Sequence, residues 1–382
     1  MKAIFRVLPV SLSAALLAAC GGNSLATQPS VMHGGLQQIA STSIPGQRPV
    51  SSLSPQVLGT GPNLYVSNFG NSTVTVYGLA RGKLLSTISR GVDKPDALAF
   101  APDGRLWVAN TQPERHDRHF LQGSVSIYNP GGSTLVAVLR RMWYPQAILF
   151  DSGGYAYIAN RYVYEGFGTI SEYAADTHAF IRDIGNNTNL NYPDGLAIDP
   201  EGNLYVSNWA GGYTQSAQDS ISVFNSIGTF EYSITQGVFY PRTIAYFSNN
   251  LYVANGPVKG VRRLQNGSIS VYSLGATSPS LTITSGIHTP VAMAFDGTDN
   301  LYVANLNGRS VTVYARGEAE PIRTISDGVR FPRALAMSPT GDLFVANLYQ
   351  DTITAYPPSS TKPRLIISAG LDHPNAIVIQ RH

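Results

Sequence analysis

One short segment recurs seven times along the 382-residue chain and constrains its fold more than any other feature. The segment is Leu-Tyr-Val-Ala-Asn or a close variant, and its last residue is Asn68, Asn110, Asn160, Asn208, Asn255, Asn305 or Asn347. Successive asparagines are 42 to 50 residues apart, which is the size of a four-stranded propeller blade. A single unit of this kind cannot bury both faces of its sheet, whereas seven units in a ring can. We therefore predict an all-β fold, a seven-bladed β-propeller of four-stranded blades.

Each unit contains four short strand patterns, and the first of them follows a proline. A proline is tolerated at a strand entry because its missing N–H falls outside the ladder. The first unit begins at its second strand, residues 64–67, and the chain ends on a lone first strand, residues 375–379. Pairing of these two strands would complete one blade and remove a free sheet edge. We therefore predict a ring closed by the N- and C-terminal strands.

The N-terminus carries the features of an export signal. Lys2 and Arg6 precede an apolar stretch, residues 7–19, that is too short to span a bilayer as a permanent helix. Residues 17–21, Leu-Ala-Ala-Cys-Gly, resemble the lipobox of bacterial lipoproteins. The resemblance implies cleavage before Cys20, acylation of that cysteine (palmitate, for example), and an extracytoplasmic place in the cell envelope, at the outer membrane or cell surface. The alternative is an ordinary secretory signal with a chance cysteine.

Cleavage before Cys20 would divide the chain into a signal peptide (1–19), a lipidated cysteine with a flexible tether (20–54) and the propeller (55–382). Removing Lys2 and Arg6 lowers the formal net charge from +3 to about +1, and so weak a charge predicts no nucleic-acid binding. Cys20 is the only cysteine, which excludes an intrachain disulfide and a multi-cysteine metal site. We expect a monomer.

The repeat itself resembles known families. Residues 301–314, Leu-Tyr-Val-Ala-Asn-Leu-Asn-Gly-Arg-Ser-Val-Thr-Val-Tyr, are similar to the NHL and YVTN-type β-propeller repeats of exported bacterial proteins. NHL repeats usually have Asp where this chain has Asn at the end of the second strand. YVTN repeats usually continue with Ile-Asp where this chain has an aromatic residue. The resemblance implies the propeller fold but no single function, because such repeats serve binding scaffolds, lactonases and lyases alike.

The residue after each strand-entry proline differs from unit to unit, although its neighbours repeat. Counted from the blade that closes the ring, which we call blade one, these residues are Asn375, Asp96, Gln146, Asp194, Arg242, Val291 and Arg333. We expect them to surround one mouth of the central channel, where two acids and two arginines suit a zwitterionic or anionic small ligand. His288 and His373 precede two of the prolines and are expected at the same mouth. The alternative is that these are solvated loop charges with no ligand.

The connections between second and third strands are long in blades two to five and short in the other three. Long insertions on adjacent repeats are typically where recognition surfaces form. The long loops supply a candidate partner-binding set of aromatic and basic side chains, which suits glycans, peptides or proteins. That set is Arg115, His119, Tyr162, Tyr164, Trp209, Tyr213, Lys259, Arg262 and Arg263.

These patterns predict a membrane-anchored binding scaffold whose channel-mouth face takes an envelope protein, a glycan or a small ligand. They require no catalytic residue, metal or other cofactor. The competing hypothesis is a metal-dependent enzyme resembling lactonases or streptogramin lyases. Its divalent cation would lie at the mouth near Asp96, Asp194, Asn208 and His373. The strand-ending asparagines likewise have two interpretations, as residues that bond nearby backbone at a strand end or as metal ligands.

Overall fold

The computed structural model describes residues 62–111, 122–161, 168–185, 189–209, 219–257 and 266–380. The predicted signal peptide, Cys20 and the tether lie outside these residues. Most of the long-loop candidates also lie outside them, namely Arg115, His119, Tyr162, Tyr164, Tyr213, Lys259, Arg262 and Arg263. Within the described ranges, no helix is long and apolar enough to cross a membrane.

The described residues form seven four-stranded antiparallel sheets, which confirms the predicted all-β propeller. Blade one contains β1 (Asn63–Asn68), β2 (Thr73–Gly78), β3 (Leu84–Ile88) and β28 (Pro374–Ile379). Blade two contains β4 (Pro95–Phe100), β5 (Leu106–Asn110), β6 (Gln122–Tyr128) and β7 (Leu135–Trp143). Blade three contains β8 (Pro145–Phe150), β9 (Tyr155–Asn160), β10 (Thr169–Ala174) and β11 (Phe180–Ile184). Blade four contains β12 (Pro193–Ile198), β13 (Leu204–Asn208), β14 (Ser220–Phe224) and β15 (Phe230–Ile234).

The remaining three blades follow the same order along the chain. Blade five contains β16 (Pro241–Phe247), β17 (Asn250–Asn255), β18 (Ser268–Ser273) and β19 (Leu281–Ile283). Blade six contains β20 (Pro290–Phe295), β21 (Leu301–Asn305), β22 (Ser310–Tyr314) and β23 (Pro321–Ile325). Blade seven contains β24 (Pro332–Met337), β25 (Leu343–Asn347), β26 (Thr352–Tyr356) and β27 (Leu365–Ile367).

The strands that follow the entry prolines form the innermost ring of the propeller. Each of β4, β8, β12, β16, β20, β24 and β28 contacts the next one around the circle. Small and large residues alternate along these strands, and Ala97, Leu98 and Ala99 of β4 are fully buried. This alternation lets twisted sheets pack closely at the centre, where the available space is smallest.

The two ends of the chain close the ring, as the sequence predicts. β28 pairs antiparallel with β1, with Leu64 opposite Ile379 and Val66 opposite Ile377. All four of these side chains are buried. The Tyr65 hydroxyl also donates a hydrogen bond to Gln380 Oε1 over 3.2 Å. Closure therefore joins residues more than 300 positions apart and makes β28 the innermost strand of blade one, so β1 is paired on both sides.

Tyrosines at the end of the third strand tie neighbouring blades together. In five blades the hydroxyl donates over 2.6–2.7 Å to a backbone carbonyl in the loop that leaves the preceding blade. The tyrosines are Tyr77, Tyr128, Tyr272, Tyr314 and Tyr356. Burial raises the pKa of Tyr314 to about 12, so the hydroxyl stays protonated and keeps donating at physiological pH.

Candidate functional site at the channel mouth

A strained backbone position presents the first strand of every blade to the channel. The residue before each entry proline has a left-handed φ between 46° and 59°. These residues are Lys94, Tyr144, Tyr192, Tyr240, Thr289, Phe331 and His373. In each blade the carbonyl of this residue accepts a hydrogen bond of 3.0–3.3 Å from the N–H that follows the strand-ending asparagine. This bond holds a conformation that non-glycine residues rarely adopt, so the next residue after the proline is rigidly placed.

The seven asparagines link the loop that enters the first strand to the third strand. In every blade the carboxamide oxygen accepts a backbone N–H from the loop that enters the first strand, over 2.8–3.4 Å. The carboxamide nitrogen donates to Ser or Thr hydroxyls of the third strand, as Asn208 does to Ser220 and Ser222. Asparagine supplies an acceptor and a donor at once, which a carboxylate does not. The geometry therefore supports the structural interpretation of these residues.

We call the six polar residues after the entry prolines, together with Arg161, the mouth cluster. Its members are Asp96, Gln146, Arg161, Asp194, Arg242, Arg333 and Asn375. Asp96 is fully buried, Asp194 is 2% exposed and Arg333 and Asn375 are each 5% exposed. Gln146 and Arg161 are also buried, and Arg242 is partly buried. This burial contradicts the interpretation of the mouth residues as solvated loop charges.

Five members of the mouth cluster form a continuous hydrogen-bonded chain. Gln146 Nε2 donates to Asp96 Oδ2 over 2.6 Å, and Asn375 Nδ2 donates to the other carboxylate oxygen, Asp96 Oδ1. Arg333 Nε donates to Asn375 Oδ1 over 2.5 Å, and Arg161 Nη1 donates to Gln146 Oε1 over 3.5 Å. These contacts join blades seven, one, two and three, so Asp96 is held by the amides on either side.

The mouth cluster also contains buried polar atoms that lack hydrogen-bond partners among the described residues. Asp194 Oδ1, Arg242 Nε and Arg333 Nη1 are buried and have no hydrogen-bond partner among the described residues. An unsatisfied buried polar group costs about 1–3 kcal/mol, and more when it is charged. These atoms are one acceptor and two donors, which together form an incomplete hydrogen-bonding arrangement at the centre of the ring.

The electrostatics of the mouth cluster reflect this incomplete pairing. Burial raises the pKa of Asp194 to about 6, even though Arg161 and Arg242 act to lower it. Burial also lowers the pKa of Arg333 to about 10, against the attraction of Asp96, and lowers that of Arg242. Three guanidinium groups face two carboxylates here, so the cluster carries one excess positive charge when both acids are ionised.

The remaining candidates lie farther from this cluster. His288 and His373 are exposed, and their backbone N–H groups bind Asn305 Oδ1 and Asp351 Oδ1. Trp209, the one long-loop candidate among the described residues, is partly buried, and its ring lies 4.3 Å from the guanidinium carbon of Arg161. Trp209 thus contacts the mouth cluster, whereas no contact of either histidine with the cluster is seen within the described ranges.

Arg161 is the member of the mouth cluster that the sequence pattern did not identify. It follows Asn160, at a position held in the other blades by Phe69, Thr111, Trp209, Gly256, Leu306 and Leu348. It is 3% exposed despite its charge. Arg161 is the one charged residue at this repeated position, and that break in the repeat could have identified it. The residues after the entry prolines were identified by the same kind of break.

The residues of the mouth fit a divalent cation poorly. In the described part of the chain, a group compatible with a metal consists of Asp351, Asp372 and His373, whose ligand atoms lie within 4.8 Å of one another. The metal hypothesis requires His373 to lie near Asp96 and Asp194. Within the described residues, His373 is instead grouped with Asp351 and Asp372. Three guanidinium charges near those two acids would also repel a cation.

Comparisons with known proteins agree on the fold alone. No protein-family model and no curated protein matches the chain. A functionally unknown protein from Desulfotomaculum acetoxidans DSM 771 is 14% identical with a TM-score of 0.64, covering 84% of this chain and 99% of its own. Hydrazine synthase from Kuenenia stuttgartiensis is 16% identical with a TM-score of 0.64, covering 78% and 92%. A chain of the mitotic checkpoint complex is 13% identical with a TM-score of 0.58, covering 85% and 90%.

These likenesses and the seven sheets define the class of the molecule, a seven-bladed β-propeller of four-stranded blades closed by its terminal strands. At such low identity the solved structures say nothing about ligand or activity. The candidate functional site is therefore the mouth cluster, where this chain departs from its own repeat.

Proposed function

We propose that this protein is a lipid-anchored, extracytoplasmic binding protein that takes its ligand at the channel mouth. One observation carries the proposal: the mouth cluster buries charged groups at a position where every structural feature around it repeats. Buried charges without partners destabilise a fold, and a ligand that supplies the missing partners recovers that free energy. Incomplete polar clusters in a concave, rigid setting are typical of binding sites.

The fold gives the mouth the rigidity that such a site needs. Each member that follows an entry proline lies two residues after a left-handed residue, and the carbonyl of that residue accepts the backbone N–H that follows the strand-ending asparagine. Little side-chain or backbone ordering is therefore left to occur on binding, which lowers the entropic cost of association. The partly buried Trp209 ring beside Arg161 adds an aromatic surface next to the charged groups.

The proposed address rests on the N-terminal sequence. Acylated Cys20 would anchor the chain in the cell envelope, and residues 21–54 would form a tether with a root-mean-square reach of about 30 Å. The propeller, similar to NHL and YVTN-type repeats, would then present its mouth and the long loops of blades two to five to an envelope protein, a glycan or a small ligand. The proposed domains are a signal peptide (1–19), the lipidated cysteine with its tether (20–54) and the propeller (55–382).

A thermal-shift screen of neutral sugars, short peptides, amino acids and organic acids tests binding at the mouth. Compounds that stabilise the wild type are retested on Arg333→Met and on Arg316→Met, a charge-matched control. Arg316 is an exposed residue in the turn after β22, and it pairs with Asp299 in the turn between β20 and β21. Both turns lie at the ends of the strands opposite the mouth. We expect stabilisation to be lost in Arg333→Met and kept in Arg316→Met. The reverse pattern would contradict binding at the mouth.

A labelling experiment tests the proposed address. Cells expressing the full chain are fed an alkyne analogue of palmitate, and the protein is recovered and probed for label. We expect label and membrane association in the wild type and neither in Cys20→Ser. Label that persists in Cys20→Ser, or an unlabelled wild type, would contradict lipid anchoring.

A further inference from the structure

We propose that the ligand of the mouth cluster is a small organic acid that carries a carboxylate together with a hydrogen-bond donor, such as an ammonium or hydroxyl group. This inference rests on the proposed function and gives that site a ligand chemistry. It follows from which atoms of the cluster lack partners, from the charge of the cluster, and from the groups that surround each unpartnered atom.

The two unpartnered donors call for an anion. Arg333 Nη1 and Arg242 Nε are both buried N–H donors without a partner among the described residues. Arg333 uses its Nε to hold Asn375, so the orientation of its guanidinium group is fixed while Nη1 stays available. Guanidinium groups bind carboxylates through strong, charge-assisted hydrogen bonds of defined geometry. A carboxylate would satisfy these donors and offset the excess positive charge of the cluster.

The unpartnered acceptor calls for a donor on the same ligand. Asp194 Oδ1 accepts no hydrogen bond from any described residue, and this side chain is 2% exposed. Its charged neighbours are Arg161, Arg242, Arg333 and Asp96. A ligand with a carboxylate alone would leave this oxygen without a donor and would bring a second negative charge near it. An ammonium or hydroxyl group on the ligand removes both problems.

The charge of the cluster disfavours other ligand classes. A divalent cation would meet three guanidinium groups, and a neutral sugar would leave the excess charge uncompensated. A phosphate dianion would place two negative charges beside Asp194 and Asp96. A monoanion such as a hydroxy acid compensates the net charge, since three arginines face two acids. A zwitterion leaves the net charge unchanged, but unlike a neutral sugar it pairs a carboxylate with the arginines and an ammonium group with Asp194.

Isothermal titration calorimetry with defined probes tests this ligand class. The probes are glycine, β-alanine, 4-aminobutanoate, L-lactate, propionate, propionamide and inorganic phosphate, titrated near neutral pH at low salt. We expect at least one amino or hydroxy acid to bind about tenfold or more tightly than propionate, a difference of about 1.4 kcal/mol. Propionamide, which lacks the charge, should bind weakest. Glycine, β-alanine and 4-aminobutanoate differ in the distance between their ammonium and carboxylate groups. Their relative affinities identify the spacing that the cluster accepts.

Variants assign the binding to the named atoms. We expect Arg333→Met to weaken the best acid about tenfold or more, and Asp194→Asn to remove its advantage over propionate while propionate binding is kept. Arg316→Met should bind like the wild type. Circular dichroism and thermal unfolding of each variant show whether it is folded, and Arg333→Lys, which keeps the positive charge, replaces Arg333→Met if that variant does not fold.

Several results would overturn the inference. They are binding of propionamide or phosphate as tight as that of the acids, absence of binding by every acid in the series, or equal affinity for acids with and without the donor. A neutral compound that binds the wild type and fails to bind Arg333→Met would overturn this inference and leave binding at the mouth intact. Ligands whose affinity is unchanged in every mouth variant would contradict both the proposed ligand class and binding at the mouth.

Discussion

Replacing Asp194 with asparagine should make the protein more stable at neutral pH. Asp194 is buried, its Oδ1 atom lacks a hydrogen-bond partner among the described residues, and burial raises its pKa from 3.8 to about 6. Each pKa unit corresponds to about 1.4 kcal/mol, so the ionised side chain costs the folded state on the order of 3 kcal/mol. Asparagine has almost the same shape and carries no charge, which removes that cost.

The pH dependence of this effect has a defined sign. Because the folded state holds its proton up to a higher pH than the unfolded state, it binds more protons between about pH 4 and 6. The stability of the wild type should therefore fall as pH rises through that window, relative to Asp194→Asn. The two proteins should be nearly equal in stability at pH 4 and differ most above pH 6.5.

Urea unfolding of both proteins, followed by circular dichroism at several pH values, measures this difference. Asp296→Asn is the matched control, because its pKa is shifted in the opposite direction. Burial acts to raise the pKa of Asp296, but hydrogen bonds from Asn300 and Thr298 outweigh it and hold the pKa below 3.8. That variant should lose stability at neutral pH. An Asp194→Asn protein less stable than the wild type at pH 7.5 would show that Asp194 is a structural ion and refute the reasoning.

Three further variants test the architecture that positions the mouth. Asn305→Ala leaves the part-buried N–H of His288 and the buried hydroxyl of Thr312 without their partner and should cost about 2–4 kcal/mol in urea unfolding. A cost near zero would contradict the role of the asparagine in holding the strand entry. Tyr314→Phe removes a 2.6 Å hydrogen bond to the loop that leaves the preceding blade and should cost about 1 kcal/mol of unfolding free energy. An unchanged unfolding midpoint would contradict a stabilising role for this bond. Deleting residues 374–382 removes β28 and its three large buried side chains. The loss of their burial should lower the free energy of unfolding by about 5–8 kcal/mol, which is comparable to the stability of a whole domain. Cooperative unfolding at an unchanged temperature would contradict closure by the termini.

The fold could be predicted from the sequence because each blade repeats the physical requirements of its position. The proline at strand entry, the alternation of small and large residues and the terminal asparagine recur in every unit. The lone strand at the C-terminus was enough to predict closure, since β28 pairs with β1. Such local signals agree with one another along the chain, so few alternative architectures remain.

The mouth could be predicted only in part. A break in the repeat identified Asp96, Asp194, Arg242 and Arg333, but burial of a charge depends on the radius of the ring and on neighbours distant in sequence. That dependence explains why these residues also fitted an interpretation as solvated charges. His288 and His373 lie before the entry prolines, whereas the buried residues follow them, and both histidines are exposed.

A crystal structure of the protein grown with saturating L-lactate or glycine tests the central claim most directly, because it shows where the acid lies. We expect density for the acid inside the ring, with its carboxylate within hydrogen-bond distance of Arg333 Nη1 and Arg242 Nε and its donor group at Asp194 Oδ1. Density for the acid elsewhere on the propeller, with only water among these three side chains, would contradict the claim that the mouth cluster is the binding site.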